Sequence, residues 1–576
     1  MDRPIYILGI HDGHNATASL IADGKVIVAV QEERLTRRKN EVGYPRRAIE
    51  DCLRIAGIGG GDLDGVTYAS LFMHKADYLE NIEPWYLTGL AEQRIDAQKP
   101  TDYQRLIFEQ RKTERIADVG RHIGVAADRV TFVEHHLAHL AAAYYTDFHP
   151  HTGQPVLGLT CDGAGDNLAA TVSVCHGNAL QRVSATSRHA SLGKIYSRVT
   201  MLLGMKPWEH EYKVMGMAPY ADPERSAAAA ETLRSLIRLD EDNLQFVQCG
   251  ELSTNYCYQH LRDCFERVRF DTIAGATQLF TEELLVAWVR AAIRKTGIPD
   301  VVCGGGVFMN VKANQAIAQL PELRSLYVVP SAGDESLAFG AALHRYYQQT
   351  GRTDHSDSTF EHLYLGGDYT REEEAAAVAD CSSRCPIEVV AGGDVDAMVV
   401  DLLAKGQIVA RCRGRMEWGA RALGNRSLLA GADNLRITEQ LNAKIKQRDF
   451  WMPFAPSIRA ESSARYLHDP KDLHPHFMTL AFDGSAMASN DLAAAMHPRD
   501  HTLRPQVVTA AVNPQYHRLL SLFELSSGRG GLLNTSFNIH GEPIVYSPID
   551  AIDVLMRSGL EYLALDNHIV RKRTAD

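Results

Sequence analysis

The chain has 576 residues, of which 45% are hydrophobic and 23% are charged, and its formal net charge is −11. These values are typical of a folded protein with several domains and exclude a disordered chain or a small disulfide-stapled domain. No apolar stretch approaches the ~18 residues that cross a bilayer, and the first residues lack a signal-peptide pattern. We therefore expect a cytoplasmic protein without a membrane partner. The acidic balance also argues against a nucleic-acid partner, whereas the oligomeric state stays open.

The same strand pattern occurs twice in the first 185 residues. Each half contains three short β-rich runs joined by turns, and the first turn is rich in Asp and Gly. Such a turn offers backbone N–H groups and a carboxylate to the phosphates of a nucleotide and their metal ion. An internal duplication explains the repeat, and two unrelated hairpins are the alternative. The predicted strands cover residues 5–10, 16–21, 25–32, 156–160, 168–175 and 180–185.

Three successive glycines, Gly304, Gly305 and Gly306, follow a predicted strand and precede a predicted helix. They would let the backbone approach a nucleotide closely, and the helix N-terminus adds partial positive charge. After a further strand, a turn contains Asp334. Over roughly residues 1–350, this order of segments resembles the actin, chaperone-ATPase and sugar-kinase superfamily. The resemblance implies an α/β fold with an actin/sugar-kinase-like duplicated N-terminal domain.

A histidine-rich run, EHHLAHLAAA, predicts a helix on which His135 and His139 share one face. Two imidazoles at this spacing can hold one metal ion, and Asp162 and Asp334, in turns after strands, would add two carboxylates. We predict a divalent metal here, with Fe²⁺ preferred and Zn²⁺ or Mn²⁺ as alternatives. His136 would face elsewhere as a structural residue. The other interpretation is a helix whose histidines are ordinary polar residues of a half-buried face.

Longer strings carry a family resemblance. HHLAH from residue 135, GGGVFMN from residue 304 and AGD from residue 332 resemble the N-terminal domain of NodU/CmcH-type O-carbamoyltransferases. That domain is similar to the TsaD-like tRNA threonylcarbamoyl-transfer proteins. Further strings extend the resemblance over nearly the whole chain, at residues 193–200, 210–220, 414–430, 444–457 and 532–548.

The C-terminal third has a different composition. A polar stretch at 348–358 is typical of a linker, and we expect it to separate a domain at 1–350 from a second α/β domain at 359–576. Clustered cations between residues 413 and 448 favour a pocket for a polyanionic small molecule, with solvated surface charge as the alternative. The candidates for nucleotide and phosphate contacts are Arg415, Arg421, Arg426, Lys444, Asn534 and Thr535.

By resemblance, the second domain is YrdC-like, a fold that uses a KxR…SxN set to form carbonyl-adenylates. Those letters are Lys446, Arg448, Ser536 and Asn538 in this sequence. The resemblance therefore implies that carbamoyl phosphate and ATP, with Mg²⁺, give carbamoyl-adenylate in this domain.

The resemblance also implies that the N-terminal domain transfers the carbamoyl group to a hydroxyl of a small-molecule acceptor, such as an antibiotic precursor, another secondary metabolite or a sugar. His14, in the first turn, is the candidate general base, because its ordinary pKa lies near neutrality. Asp12 is expected to contact metal or phosphate, and Asn15 the carbamoyl amide. The AMP part would lie against residues 304–306 and Asn310.

Two other functions share parts of this pattern. A tRNA threonylcarbamoyl-transfer enzyme would need a basic face, which the charge of −11 opposes. A non-catalytic ATPase scaffold of the actin superfamily would leave the KxR…SxN set unexplained. The aromatic-rich segment at 71–121 is a candidate acceptor pocket or an ordinary helical insertion. Arg38 and Lys39 end a basic run and are expected either to contact phosphate or acceptor, or to lie on a solvated face.

Overall fold

The computed structural model describes residues 3–98, 103–149, 153–391, 393–473 and 475–573, and it divides into two compact units. Unit 1 comprises Met1–Glu32 and Glu41–Phe360, and unit 2 comprises Glu33–Asn40 and Glu361–Asp576. The division after Phe360 lies just beyond the polar stretch that the sequence marks as a linker. The excursion of residues 33–40 into unit 2 has no counterpart in the sequence pattern.

The first sheet of unit 1 contains both hairpins predicted near the N-terminus. Its order is β3-β2-β1-β4-β5, with antiparallel pairs on the β3 side and parallel pairs from β1 to β5. The β2–β3 turn places Asp23 and Gly24 at positive φ, as a tight hairpin requires. The strands are β1 (Tyr6–His11), β2 (Thr17–Ala22), β3 (Lys25–Gln31), β4 (Gly65–Ala69) and β5 (Val130–Val133).

The second sheet of unit 1 repeats this topology. Its order is β12-β11-β6-β7-β8, with parallel pairs from β12 to β6 and antiparallel pairs from β6 to β8. The predicted duplication and the actin/sugar-kinase-like α/β fold are thereby confirmed. The strands are β6 (Val156–Gly165), β7 (Leu168–His176), β8 (Ala179–Ser187), β9 (Ile237–Asp240), β10 (Gln245–Gln248), β11 (Asp300–Gly304) and β12 (Ser325–Val328), of which β9 and β10 form a separate ribbon.

Thirteen helices accompany the first 360 residues within the described ranges: α1 (Glu32–Thr36), α2 (Arg46–Ala56), α3 (Ala76–Glu80), α4 (Leu90–Asp96), α5 (Tyr103–Ile123), α6 (His135–Thr146), α7 (Leu192–Leu202), α8 (Glu211–Met217), α9 (Pro223–Arg234), α10 (Tyr258–Phe265), α11 (Phe270–Thr296), α12 (Val311–Ala318) and α13 (Leu337–Thr350). None of the described helices, here or in unit 2, combines the length and apolarity needed to cross a membrane.

Helix α6, which carries the histidines, is held tightly in unit 1. Glu134 caps its start by accepting hydrogen bonds from the backbone N–H groups of His136 and Leu137. Its alanine-rich face packs against α13, where a Cβ on Gly340 would lie only 2.1 Å from the carbonyl oxygen of Ala138. Because only glycine permits this approach, Gly340 lets α6 pack closely against α13. This packing sets the position of the imidazoles on α6.

Unit 2 is built on one eight-stranded mixed sheet of order β13-β22-β21-β14-β15-β20-β16-β19. The strands of unit 2 are β13 (Ile387–Ala391), β14 (Val409–Cys412), β15 (Arg426–Ala430), β16 (Ala455–Arg459), β17 (Phe482–Asp483), β18 (Thr502–Leu503), β19 (Gln506–Val508), β20 (Gly531–Ser536), β21 (Tyr562–Ala564) and β22 (His568–Lys572), of which β17 and β18 form a separate two-stranded sheet. Its helices are α14 (Arg371–Arg384), α15 (Val395–Ala404), α16 (Arg436–Leu441), α17 (Ser463–Tyr466), α18 (Ala486–Asp491), α19 (Pro514–Ser527) and α20 (Pro548–Arg557).

Helices α15 and α19 pack on one face of this sheet through a buried cluster that includes Val399, Leu519 and Leu532. On leaving α16, the chain forms one π-helical turn, Asn442–Lys446, and then places Gln447 at a φ of 46°. Such wide turns are uncommon and occur often at functional sites. This turn sets the position of Lys446 beside the end of β20.

Candidate functional site

Unit 1 brings together the four residues predicted as metal ligands. One donor atom from each of His135, His139, Asp162 and Asp334 lies within 4.8 Å of all the others. The Nε2 atom of His135 is 3.3 Å from Asp162 Oδ2 and 3.6 Å from Asp334 Oδ1, and His139 Nε2 is 3.5 Å from Asp334 Oδ1. The cluster forms because the two histidines are one helical turn apart on α6, while the aspartates come from the ends of β6 and the β12–α13 turn.

Neighbouring polar groups orient both imidazoles. The Nδ1 atom of His135 is hydrogen-bonded to Ser70 Oγ at 2.8 Å, and that of His139 to Ser336 Oγ at 3.3 Å. The Nε2 atoms are therefore directed toward the carboxylates, as in many metal sites. On the other side, the backbone N–H of Gly306 donates to Asp162 Oδ1 at 2.9 Å, so the second carboxylate oxygen faces His135.

These side chains suit a divalent cation. The buried Nε2 atom of His139 has no hydrogen-bond partner among the described residues, although it lies beside a carboxylate. Two imidazoles with two carboxylates form a donor set that Fe²⁺, Zn²⁺ and Mn²⁺ accept. Burial alone would lower the pKa of His135, but Asp334 and Asp162 together raise it to about 9. The site therefore favours positive charge at the position where the four donors meet.

His14 lies in the turn between β1 and β2, with its ring centroid 3.7 Å from that of Trp208. Burial lowers the pKa of His14 to about 4, against the opposing effect of Asp334. The ring is thus neutral at pH 7, and its buried Nε2 atom has no hydrogen-bond partner in the described part of the chain. A neutral imidazole with a free nitrogen can accept a proton from a hydroxyl group.

The sequence patterns did not identify two residues that lie near this cluster. His11 is fully buried at the end of β1, and its Nε2 atom is 3.6 Å from Asp334 Oδ2. The ammonium of Lys194, at the start of α7, lies 5.1 Å from the ring centroid of Trp85. Burial and Arg198 lower the pKa of Lys194 to about 8. Two sequence patterns could have indicated these residues. The HDGH run contains His11 as a second histidine, and the GKIYSRVT string contains Lys194.

Asp12 has a different environment from the predicted one. Its carboxylate accepts hydrogen bonds from Arg115 Nε at 2.9 Å and from Arg111 Nη2 at 3.1 Å, and Arg115 also contacts the other oxygen. Asp12 and Arg115 are both almost fully buried. Both carboxylate oxygens are engaged by arginines of α5, so Asp12 forms a buried ion pair in this structure, and its contact with metal or phosphate stays a prediction. Asn15 contacts Glu335, with Nδ2 3.4 Å from Oε2.

The glycine run and Asn310 also have structural partners. A Cβ on Gly304 would lie 2.7 Å from the carbonyl oxygen of His139, and one on Gly305 would lie 2.4 Å from that of Cys161. Gly305 also has a φ of 98°, which other residues rarely adopt. The Oδ1 atom of Asn310 caps α12 by accepting from the backbone N–H of Ala313 at 3.0 Å. Close packing and helix capping thus engage these residues in the structure, and their contact with the AMP part stays a prediction.

Unit 2 brings together the KxR…SxN residues. Lys446 Nζ donates to Asn538 Oδ1 at 2.8 Å and to Ser536 Oγ at 3.1 Å, and it also contacts the backbone oxygens of both residues. Arg448 Nη2 donates to Thr535 Oγ1 at 2.9 Å, and its guanidinium lies over the ring of Phe454. Burial, followed by repulsion from Arg448 and Lys39, lowers the pKa of Lys446 well below its ordinary value.

Groups within the protein engage other cations of the region between residues 413 and 448. Arg426 is buried and donates to the carbonyl oxygens of Tyr546 and Gly414, at 2.9 and 3.0 Å. Lys444 forms an ion pair with Glu561 at 2.8 Å. Carbonyl groups engage the donors of Arg426, which gives it a structural role here, and its contact with phosphate stays a prediction.

Arg415 and Asn534 behave similarly. Arg415 donates to the carbonyl oxygens of Gly366 and Leu365, and the buried amide of Asn534 donates to the carbonyl oxygen of Ala422 at 3.0 Å. These bonds fix the loop between β14 and β15. Arg421, on the same loop, is half-buried.

Comparison with known proteins identifies the family. Models of the carbamoyltransferase N-terminus and C-terminus match residues 6–343 and 400–572. The chain therefore belongs to the carbamoyltransferase family, which confirms the resemblance to the NodU/CmcH group, and it is a carbamoyltransferase.

Three relatives illustrate the range of the family. An uncharacterised protein of Synechocystis sp. is 30% identical, over 98% of this chain and 97% of its own length. Nodulation protein NolNO of Sinorhizobium fredii is 29% identical, over 98% of this chain and 79% of its own. The 3'-hydroxymethylcephem-O-carbamoyltransferase of Streptomyces clavuligerus is 29% identical, over 59% of this chain and 60% of its own.

Proposed function

We propose that the protein is an ATP-dependent O-carbamoyltransferase that works in two stages, one in each unit. The observation that carries this proposal is the presence of two chemically opposite clusters in one chain. The cluster of unit 2 is built from cations and neutral hydrogen-bonding groups around Lys446 and Arg448. The cluster of unit 1 is built from imidazoles and carboxylates around His135 and Asp334. The first suits phosphates, and the second suits a metal ion.

In unit 2, carbamoyl phosphate, ATP and one water would give carbamoyl-adenylate, phosphate and pyrophosphate, with Mg²⁺ accompanying the ATP. Two phosphate groups must approach each other, and at 4 Å their repulsion is about 1 kcal/mol per unit-charge pair in water and several-fold larger in a partly dry site. Lys446 and Arg448 would offset this repulsion. Ser536 Oγ and Asn538 Oδ1 accept hydrogen bonds from the ammonium of Lys446 and so hold it in position.

In unit 1, His135, His139, Asp162 and Asp334 would hold a divalent cation, with Fe²⁺ preferred, which supplies Lewis-acid stabilisation of the developing charge. His14 Nε2 would take the proton of the acceptor hydroxyl. The hydroxyl oxygen then bonds to the carbamoyl carbon, the bond from that carbon to the AMP oxygen breaks, and AMP leaves with the electron pair. General-base assistance of this kind contributes roughly 10²–10⁴-fold in rate.

The acceptor in this proposal is a small molecule with a free hydroxyl group. A cephem O-carbamoyltransferase among the relatives supports a secondary metabolite, including an antibiotic precursor. Trp85 and Trp208, which pack edge to face with their ring centroids 4.3 Å apart beside His14, would form one wall for such a molecule. Aromatic walls of this kind suit rings of sugars and fused heterocycles.

Two variants of the full-length protein test the division into stages. Arg448→Ala is expected to abolish the carbamoyl-phosphate-dependent exchange of pyrophosphate into ATP while retaining transfer from added carbamoyl-adenylate. His139→Ala is expected to lose bound metal and transfer while retaining the exchange. The measurements are radiolabelled pyrophosphate exchange, metal content by mass spectrometry, and AMP release with a panel of hydroxyl acceptors. Equal loss of both activities in both variants would contradict the two-stage scheme.

A further inference from the structure

Helix α7 of unit 1 presents two cations to the same aromatic ring. Lys194 and Arg198 are one helical turn apart and therefore share a face of α7. The Nζ atom of Lys194 lies 5.1 Å from the ring centroid of Trp85, and the central guanidinium carbon of Arg198 lies 4.4 Å from it. Lys194 Nζ also lies 5.9 Å from the ring centroid of Trp208. The ammonium group is therefore beside both tryptophans of the proposed acceptor wall.

Neither cation is paired with a carboxylate within the described ranges. Arg198 is only 3% exposed, and it donates to the carbonyl oxygen of Asn255 at 3.3 Å and to the sulfur of Met201 at 3.4 Å. Its buried Nε atom has no hydrogen-bond partner in the described part of the chain. The ring of Trp85 attracts a cation but does not remove its charge. Two neighbouring positive charges without a counter-ion therefore favour an anion at this face.

The ammonium group of Lys194 has donors available for a ligand. It carries three N–H groups, and none of them is hydrogen-bonded to a described residue. The side chain is half-buried, so these donors are partly shielded from water. A Cβ on Gly163 would lie 4.0 Å from Lys194 Nζ, and Gly163 directly follows the candidate metal ligand Asp162. The free donors are therefore close to the backbone of the metal site as well as to the tryptophans.

Trp208 connects Lys194 with the candidate general base. Its ring centroid lies 3.7 Å from that of His14. Its backbone has a φ of 66°, which a bulky residue rarely adopts, and its N–H donates to Glu211 Oε1 at 2.7 Å. Strained residues of this kind are frequent at ligand sites. A molecule that packs on Trp208 with its hydroxyl at His14 would thus have another of its groups near Lys194.

We propose that Lys194 binds a carboxylate group of the hydroxyl acceptor, so that the protein selects acceptors that are free acids. The inference rests on the proposed function of unit 1 and deepens it by naming the charge class of the acceptor. A carboxylate would accept charge-assisted hydrogen bonds from Lys194 and would balance the charge of Arg198 behind it. Lys194 is assigned to the acceptor because it shares Trp85 and Trp208 with the wall proposed for that molecule.

The test measures AMP release from added carbamoyl-adenylate by the full-length protein, with matched pairs of hydroxyl acceptors. A hydroxymethylcephem, a hydroxymethylbenzoate and a uronic acid are each supplied as the free acid and as the methyl ester. The wild type is expected to prefer the acids by about 10- to 100-fold in kcat/KM, as a hydrogen bond between charged groups would give. Lys194→Ala should lose this preference through a higher KM for the acids, and Lys194→Arg should keep most of it. Lys295→Ala, which removes an exposed lysine of unit 1, should match the wild type.

The outcomes separate this inference from the proposed function. The ratio of acid to ester is taken within one variant, so a smaller amount of folded protein does not change it. If the wild type uses neutral acceptors as well as acids, or if Lys194→Ala keeps the preference, the inference is wrong while the proposed function stands. A higher KM for carbamoyl-adenylate alone would place Lys194 at the AMP phosphate and would also contradict the inference. If the wild type transfers the carbamoyl group to no hydroxyl compound, the proposed function itself is wrong.

Discussion

The two halves of unit 1 share one topology, but equivalent aspartates in them have different partners. Asp12 directly follows the last regular β1–β2 pair, His11 with Thr17, and Asp162 directly follows the pair of Cys161 with Ala170. Asp12 is bound by two arginines, whereas Asp162 faces His135. The duplicated backbone therefore places a carboxylate at the equivalent position of each half, and the surrounding helices determine which groups that carboxylate contacts.

The helices differ because the two halves carry different insertions. Between β4 and β5, the first half contains α5, from which Arg111 and Arg115 reach Asp12. Between β11 and β12, the second half contains the short helix α12 and supplies no arginine to Asp162. The imidazoles of α6, which lies between the two sheets in the sequence, take that position instead. In the first half Asp12 therefore forms an ion pair, whereas in the second half Asp162 belongs to a candidate metal site.

The largest expected effect lies in the second half. Asp162→Asn keeps the shape of the side chain but removes a charged ligand, so transfer from added carbamoyl-adenylate should fall on the order of 1000-fold. Metal content, measured by mass spectrometry, should fall with it, while pyrophosphate exchange is unchanged. Full metal occupancy in this variant would show that Asp162 is not a ligand and would remove the contrast with Asp12.

The matched change in the first half should affect stability instead. Asp12→Asn leaves the buried guanidinium of Arg115 without its carboxylate partner, whereas Arg111 keeps its ion pair with Glu114. Breaking a buried ion pair of this kind costs about 3–5 kcal/mol. Urea unfolding, followed by circular dichroism, measures this loss of free energy of unfolding. Protein that remains folded should keep its bound metal. A stable variant that loses metal would instead place Asp12 in the metal site.

The smallest expected effect concerns Asn310, for which capping and nucleotide binding make different predictions. Asn310→Ala should lower the free energy of unfolding by about 1 kcal/mol, since the cap of α12 is lost. The KM for carbamoyl-adenylate in the transfer reaction should stay close to that of the wild type. A large increase in this KM without loss of stability would show that Asn310 contacts the AMP part after all.

Much of the fold could be predicted because its signals are local. Tight-turn residues such as Asp23 and Gly24 mark hairpins, and the recurrence of the strand pattern indicates a duplication. The candidate metal cluster was also predictable, because His135 and His139 lie one helical turn apart and the two aspartates follow strands. Periodicity and turn position are sufficient to bring such residues to one place once the superfamily is known.

The partners of charged residues could not be predicted in the same way. Arg115 lies 103 positions from Asp12 in the sequence, and no spacing rule links them. The number of cations between residues 413 and 448 likewise does not distinguish Arg426 from Arg448. Arg426 binds backbone carbonyl groups, whereas Arg448 donates to Thr535. Burial and long-range contacts decide whether an arginine supports the fold or faces a ligand, and neither quantity is visible in composition.

The segment 33–40 has a consequence for how the protein is made. Arg37 and the carbonyl group of Ile544 that it binds are 507 positions apart. At a synthesis rate of ~5–20 residues per second, Arg37 would wait about 25 to 100 s on the ribosome before this partner exists. The hairpins on its N-terminal side can form within that time. This segment is thus among the first to be synthesised and among the last to form its native contacts. In a chain that terminates early, its arginines would lack these carbonyl partners and could contact other molecules.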